Sequence, residues 1–435
     1  MRREGVPNVA KTYLVGGAVR DQLLNRASHD RDWVVVGASP EDMLLKGYKQ
    51  VGADFPVFLH PTSGEEFALA RAQRKSAVAG VPTRLLTDFS KDVTLEEDLW
   101  RRDLTINAMA WCPETGALVD PFNGQQDLKD GVLRHVSYAF EEDPLRVLRV
   151  ARFMARFSGQ GFKVARETLS LMRSITTRGL LSTVAPERIW AETHKALQEE
   201  RPSAFFQTLR ECGALRAVFP EINALFGVPQ PEQHHPEIDT GVHTLLVLDR
   251  ACELSSDPMV RFAALCHDLG KGTTLPQFLP HHQAHELRGS ILAKQLCVRL
   301  KVPNDFTELA CLTAKYHTVT HTVKTVSAKS IAKMLERLDA YRRPERFEKF
   351  LLACEADAQG RTGFERVEYI QPDIVRAAKK AAEDVSVKDL LAEGFRGNAL
   401  GQALHKARIR AIYLAVQSVS RSRIRDNHLE AGPVA

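Results

Sequence analysis

The stretch Leu14-Val15-Gly16-Gly17-Ala18-Val19-Arg20-Asp21, followed by Asp30-Arg31-Asp32-Trp33-Val34-Val35-Val36, constrains this 435-residue chain more than any other part of it. Two adjacent glycines let a backbone turn sharply and bring N–H groups close to a phosphate, here at the start of a segment, Ala18 to Leu24, that reads as helix. Side chains alternate faces along a β-strand, so Asp30 and Asp32 point the same way, roughly 6 to 7 Å apart at the Cα, with Arg31 opposite. Two carboxylates so placed can share a pair of Mg²⁺ ions about 4 Å apart. Arg20, one turn into the helix, adds a planar charged donor. These are the parts needed to hold a nucleoside triphosphate and its metal ions.

The rest of the chain is long enough for two to four domains and an ample core. With 44% hydrophobic and 26% charged residues it has the composition of a globular protein. A net charge of +5 permits a phosphate-rich partner without requiring one. The seven cysteines include no C-x-x-C pair and read as reduced thiols, against a disulfide or zinc framework. Without a signal peptide or an apolar run of about 18 residues, the expectation is a cytoplasmic protein with no membrane partner and a short disordered lead over residues 1–10.

Strand patterns fall at Lys11 to Val15, Arg31 to Val36, Val57 to His60 and Glu66 to Arg71, with helices predicted at 18–25, 40–47 and near 100–108. Beyond Glu141 strand signals nearly vanish, so the expected class is α+β, a mixed sheet followed by an all-α region. Val147, Leu148, Ala151, Phe153, Met154 and Phe157 form a helical stripe that leaves Arg146, Arg149, Arg152 and Arg156 on other faces. Ala204 to Leu215 repeats the helical pattern with Gly213 as C-cap, Gly227 to Gln233 is the best linker candidate, and residues 421–435 are polar enough to fray.

Two further motifs follow the sheet. Arg101-Arg102-Asp103-Leu104-Thr105-Ile106-Asn107-Ala108 taken alone reads as a solvated helix face. In Glu142-Asp143-Pro144-Leu145-Arg146, Asp143 and Arg146 are three apart and offer an acceptor and a donor on one helical face, suited to a base edge. G-G-x-V-R-D with D-x-D-hydrophobic, then R-R-D-x-T-I-N-A and E-D-x-x-R, resembles the tRNA nucleotidyltransferase and bacterial poly(A) polymerase family of the polymerase β superfamily. The resemblance implies a polymerase β-like head in which Asp30 and Asp32 are catalytic and hold Mg²⁺. It also implies nucleotide contacts from Gly17, Arg20, Arg102, Asp103, Asn107 and Arg149, and a protein template made by Asp143 and Arg146. Glu66 is a candidate third carboxylate, a solvent-facing strand glutamate being the other reading. One departure stands out: the family's glycine-rich loop with a G-Y-x-G-F core is replaced by residues 76–90, with a single glycine. That loop is linked in the family to the change from C to A addition, so efficient CC addition with slow A addition is expected.

A second centre is spread over Gly241-Val242-His243, Cys266-His267-Asp268-Leu269-Gly270-Lys271, His281, His282, His285, His317, His321 and Asp357. Neutral imidazoles with carboxylates at an open site suit a borderline transition metal that activates water. The His-Asp pair ahead of Leu-Gly-Lys, with an upstream His, resembles the HD phosphohydrolase superfamily. The best matches are His243, His267 and Asp268, with Asp357 as a last ligand; spacing leaves open which of His281, His282, His285 and His317 completes the site.

The order of motifs is similar to that of bacterial class II tRNA nucleotidyltransferases with a C-terminal HD domain. It implies a head at 1–140, a helical neck and body at 141–235 that binds the nucleotide base and RNA, an HD domain at 236–360 and a helical C-terminal region at 361–435. The implied activities are template-independent CCA addition to the tRNA 3′ end from CTP and ATP, and phosphatase, 2′-nucleotidase and 2′,3′-cyclic phosphodiesterase action with Ni²⁺ or another divalent transition metal. The implied assembly is a monomer or homodimer. The rivals are a poly(A) polymerase taking ATP alone, and a non-catalytic RNA-binding protein, which has no reason to keep two repelling carboxylates.

Overall fold

The computed structural model describes residues 10–27, 31–51, 57–75, 85–233 and 235–430, in two compact units, Met1–Thr183 and Val184–Ala435. The first unit runs β1 (Lys11–Val15), α1 (Gly17–Leu23), β2 (Asp32–Val36), α2 (Pro40–Leu45), β3 (Lys49–Val51), β4 (Val57–Leu59), β5 (Glu66–Leu69), β6 (Ala72–Lys75), β7 (Leu85–Asp88) and α3 (Leu95–Trp100). It continues through β8 (Ala110–Trp111), β9 (Leu118–Val119), α4 (Gly124–Asp130), β10 (Val132–Leu133), α5 (Arg146–Phe157), β11 (Lys163–Val164) and α6 (Arg166–Thr177).

Seven strands pair in the order β3-β4-β5-β2-β1-β8-β9, and the sheet is mixed because β2 and β5 run parallel while its other pairs are antiparallel. Alternation along the strands buries both faces. Val15, Val34, Ala70 and Ala110 pack against Leu95 and Leu99 of α3, and Val35, Phe58, Phe67 and Leu69 pack with Met43 of α2 on the opposite side. Asp32, the first residue of β2, stands in register with Val15 on one neighbour and Glu66 on the other. Asp30 and the middle of the departing loop, 76–84, lie outside the described residues; the loop's flanks pair as the two-stranded β6–β7 ribbon.

Two predicted helices need correction. The helix expected near 100–108 ends at Trp100, and Thr105–Asn107 is a separate 3-10 turn. The break has a local cause: the Leu104 amide is captured by the Asp103 carboxylate at 2.8 Å, and Leu104 bridges His135 as extended backbone. Likewise Asp143 does not share a helix with Arg146, since it is extended and its carboxylate accepts the Leu145 amide at 3.2 Å, ahead of a helix that begins at Arg146.

The second unit is helical: α7 (Pro186–Gln198), α8 (Pro202–Glu211), α9 (Ala214–Val218), α10 (Pro220–Asn223), α11 (Thr240–Leu254), α12 (Pro258–Cys266), α13 (His285–Arg299), α14 (Asn304–His321), α15 (Ala328–Arg337), α16 (Pro344–Gln359), α17 (Gln371–Glu383), α18 (Val387–Ala392) and α19 (Gly397–Glu430). Gly213, with φ of +78°, stops α8 as expected, whereas the backbone of α19 stays helical to Glu430, past the point where fraying was predicted. The predicted linker is not free. Pro229 bridges Asp239, the Gly227 amide donates to the Asp239 carboxylate at 2.6 Å, and Gln230 is buried. Among the described residues no helix is long and apolar enough to cross a membrane.

Small side chains set the approach of the helices that matter most. Ala251, Ala264 and Ala356 are fully buried, with Val247, where α11, α12 and α16 meet. Helices separated by alanine come closer than helices separated by leucine, and the closeness draws the flanking polar residues together. Ala251→Leu is expected to cost about 1 to 3 kcal/mol of stability through overpacking, read as a lower urea midpoint with an unchanged slope.

Candidate functional site

In the first unit the glycine turn and the carboxylate meet. Gly16 has a φ of +71°, and a Cβ there would come within 3.0 Å of Arg102 Nη1 and 3.9 Å of Asp32 Oδ2. Only a residue lacking a side chain accepts both the conformation and the neighbours. Asp32 and Glu66 are both exposed and share one face of adjacent strands, about 4.8 Å apart across the ladder. Two unpaired oxygens facing one way make a donor set suited to a hard cation such as Mg²⁺. Arg102 Nη2 donates to Asp98 at 3.1 Å.

Behind this edge runs a chain of buried polar groups. Arg20 Nη1 donates to Asn107 Oδ1 at 2.6 Å, Asn107 Nδ2 donates to Asp103 Oδ1 at 3.0 Å, and Arg149 Nε donates to Asp103 Oδ2 at 2.7 Å. Burial alone would raise the Asp103 pKa, but Arg149 and Asn107 outweigh it and hold the carboxyl well below the usual carboxylate range. Arg20 is only 3% exposed, also pairs with Asp21, and lies over the Phe153 and Phe157 rings. The sequence expectation of Arg20 as a phosphate-facing donor therefore differs from what is found: its guanidinium holds the site from within. Arg156 completes the brace by donating to Asp21 at 3.0 Å. Arg146 donates to the carbonyls of Ala139 and Arg101. Gly17, at the start of α1, keeps the amide end of that helix beside Gly16.

The second unit gathers the residues of the second centre. His243 on α11 places Nε2 3.1 Å from Asp357 Oδ1 and 3.9 Å from Asp268 Oδ2. His267 Nε2, just past α12, is 3.0 Å from Asp268 Oδ2 and 3.5 Å from Asp357 Oδ1. His243, His267 and Asp268 are essentially inaccessible, and Asp357 on α16 is 6% exposed. Burial would lower the His267 pKa, yet Asp268 and Asp357 raise it to about 9, so this cavity favours a positive charge among its donors. Borderline nitrogen with carboxylate oxygen fits a divalent transition metal.

The histidines left open by spacing now separate. His285 and His317 reach Asp268 Oδ1, at 3.4 and 3.6 Å. His282 instead contacts Thr274 and the Pro229 carbonyl, and His281 is exposed.

Four supporting residues escaped the sequence reading. Glu237 Oε1 sits 2.9 Å from His243 Nδ1, in a segment whose Ile238 takes a φ of +58°. Lys271 Nζ links Asp268 Oδ2 at 2.6 Å to Gln230 Oε1 at 2.9 Å. His321 Nε2 donates to Asp357 Oδ2 at 2.7 Å and accepts the Tyr369 hydroxyl on Nδ1 at 2.7 Å. Of these only Lys271 carried a sequence signal, its place three residues after Asp268. An open pocket of about 580 Å³ leads to the cluster, lined among others by Lys271, His285, His317, His321, Arg361 and Tyr369.

Comparison with known proteins agrees with both centres. Residues 12–134 match the family model of the poly A polymerase head domain, 161–226 that of the probable RNA and SrmB-binding site of polymerase A, and 240–348 the HD domain. A multifunctional CCA protein of Thioalkalivibrio sulfidiphilus is 56% identical over 402 residues, covering 92% of this chain and 98% of the relative. Another from Teredinibacter turnerae is 54% identical over 404 residues, 93% and 98% of the two chains. Among solved structures, a complex of a CCA-adding enzyme with CTP aligns with a TM-score of 0.62 at 21% identity, over 95% of this chain and 91% of the other. The Thermotoga maritima CCA-adding enzyme complexed with tRNA gives 0.60 at 20%, over 95% and 91%. At such identity these likenesses concern the fold.

The Asp103 pairing generates a pH prediction. A carboxyl held low in the folded state stabilises it above the unfolded pKa of about 4 and loses that contribution as pH falls toward the folded value. Asp103→Asn is expected to cost about 3 kcal/mol at pH 7 and to lose less further stability than the parent between neutral pH and pH 3, as measured by urea unfolding across that range.

Proposed function

The chain belongs to the multifunctional CCA protein family, and from that premise we propose that it joins a CCA-adding tRNA nucleotidyltransferase to a metal-dependent phosphohydrolase. The observation that carries the first half is the convergence of Asp32, Glu66, Gly16 and Arg102 at one sheet edge, backed by the Arg20–Asn107–Asp103–Arg149 chain.

In this reading Asp32, with Asp30 and Glu66, holds Mg²⁺, which when bound lowers the pKa of the terminal ribose 3′-OH and steadies the leaving pyrophosphate. The Gly16–Gly17 turn offers backbone amides to the triphosphate, and Arg102 neutralises part of its charge. Asp103 and Asn107 fix the floor against which the ribose lies, with Arg20 and Arg149 keeping both groups ionised or oriented. Asp143 and Arg146 select cytosine and adenine by their hydrogen-bonding edges, Arg146 from a position tied to the backbone at 101 and 139. Catalysis is then largely positioning and electrostatics. The partners are tRNA, CTP and ATP, and the place of action is the cytoplasm.

For the second half, His243, His267, Asp268 and Asp357 hold Ni²⁺ or another divalent transition metal, which supplies an activated water and polarises a phosphate oxygen. Lys271 keeps Asp268 ionised, Glu237 fixes the His243 ring, and the pocket accepts phosphomonoesters, 2′-nucleotides and 2′,3′-cyclic phosphates.

Incubating tRNA lacking CCA with each nucleotide separately tests the first half. CTP and ATP should be added, UTP and GTP poorly, and Asp32→Ala should lower addition by several powers of ten while leaving tRNA binding and the melting temperature unchanged. Incorporation of ATP alone would identify a poly(A) polymerase, and no incorporation a binding protein. Mapping products at single-nucleotide resolution should reveal a pause after CC, the expected consequence of the altered loop.

The hydrolytic half predicts that His267→Ala and Asp268→Ala abolish 2′,3′-cyclic phosphate hydrolysis and spare nucleotide addition. Chelation should mimic the variants and Ni²⁺ should reverse it. Hydrolysis by both variants at the parental rate would overturn the assignment.

A further inference from the structure

Asp268 turns its two carboxylate oxygens toward different sets of groups. Oδ2 faces His267, His243 and Lys271, at 3.0, 3.9 and 2.6 Å. Oδ1 faces His285 Nε2 and His317 Nε2, at 3.4 and 3.6 Å, and accepts no hydrogen bond although Asp268 is 99% buried. Leaving a buried carboxylate oxygen without a donor is costly, so something positive belongs beside it.

The two histidines cannot supply it in their neutral form. His285 Nδ1 donates to the His282 carbonyl at 2.8 Å, and His317 Nδ1 donates to the Thr313 carbonyl at 3.0 Å. With the proton fixed on Nδ1, each Nε2 presents a bare lone pair. These two lone pairs face one another at 3.4 Å, with the Thr318 hydroxyl 3.4 Å from His317 Nε2 as the other polar neighbour. Burial pushes the His317 pKa down to about 3, which makes protonation a poor remedy. Three acceptors with no donor among them are a ligand set for a cation.

Their spacing agrees. A tetrahedral ion with bonds of about 2.1 Å has ligand atoms about 3.4 Å apart, and the triangle here measures 3.4, 3.4 and 3.6 Å. The fourth position opens toward the pocket that His285 and His317 line.

We propose that Asp268 Oδ1, His285 Nε2 and His317 Nε2 form a second divalent transition-metal site, bridged through Asp268 to the site of His243, His267 and Asp357. The proposal rests on the phosphohydrolase reading and deepens it. Two ions sharing a carboxylate can grip two oxygens of one phosphate ester, which suits a strained cyclic phosphate as substrate.

The test uses the full chain, stripped by chelation and titrated with Co²⁺ or Ni²⁺ in excess Mg²⁺ so that the carboxylates of the first unit are filled. Two transition-metal ions per chain are expected by elemental analysis, with the intense visible bands of tetrahedral Co²⁺ appearing on loading. The double variant His285→Gln, His317→Gln should bind one ion and lose those bands, and His317→Asp, which restores an oxygen ligand, should again bind two. Binding of a single ion by the parent, or of two ions by the double variant, would overturn the second site. One ion with cyclic phosphate hydrolysis intact would leave the phosphohydrolase reading standing, whereas no bound ion and no hydrolysis would remove both.

Discussion

Asp103 receives an arginine on one oxygen and a carboxamide on the other in a place almost closed to water, and the geometry of the first unit follows from that pairing. A buried charge so placed is tolerated only while its partners stay in register. Through Asn107 the constraint reaches Arg20 and the helix after the glycine turn, and through Arg149 it reaches α5. Segments far apart in sequence are thereby fixed around the edge that bears Asp32 and Glu66. The sheet supplies the edge and its packed faces supply stability, but the angle at which the turn addresses that edge is set by the polar chain.

The second centre is ordered in a different way. His267, His285 and His317 each lend Nδ1 to a backbone carbonyl three or four residues earlier, so the direction of Nε2 is written into the local backbone. Such anchoring fixes ring orientation before any ligand arrives. Asp357 is held from outside by His321 and Tyr369, and the alanine-lined crossing of α11, α12 and α16 sets how close these groups come.

Much of this was legible in the sequence where the cause was local. The strand Lys11–Val15 and its glycine turn were read with the observed ends, because alternation and a sharp turn are properties of neighbouring residues. The failures lie where a side chain competes with its own backbone: Asp103 captures the Leu104 amide and Asp143 the Leu145 amide, so two runs with helical spacing are not helices. Arg20 was expected to face a phosphate because spacing says nothing of burial. The choice among four histidines could not be made from the sequence, since His285 and His317 lie on helices whose packing is a long-range outcome. The pairing of Glu66 with Asp32 depends on a parallel register that no local pattern announces.

Gly270 carries a consequence beyond this chain. A Cβ at that position would stand 1.9 Å from the His285 carbonyl oxygen and 2.6 Å from the Gly289 amide, both backbone atoms that cannot swing aside. The turn after Asp268 therefore touches the first turn of α13 with no room for a side chain, and the place of His285 is conditional on a missing methyl group. In any related sequence this one position is a diagnostic letter. Glycine there is compatible with a docked α13, and any larger residue marks a chain in which that helix, with the histidine it bears, has had to withdraw.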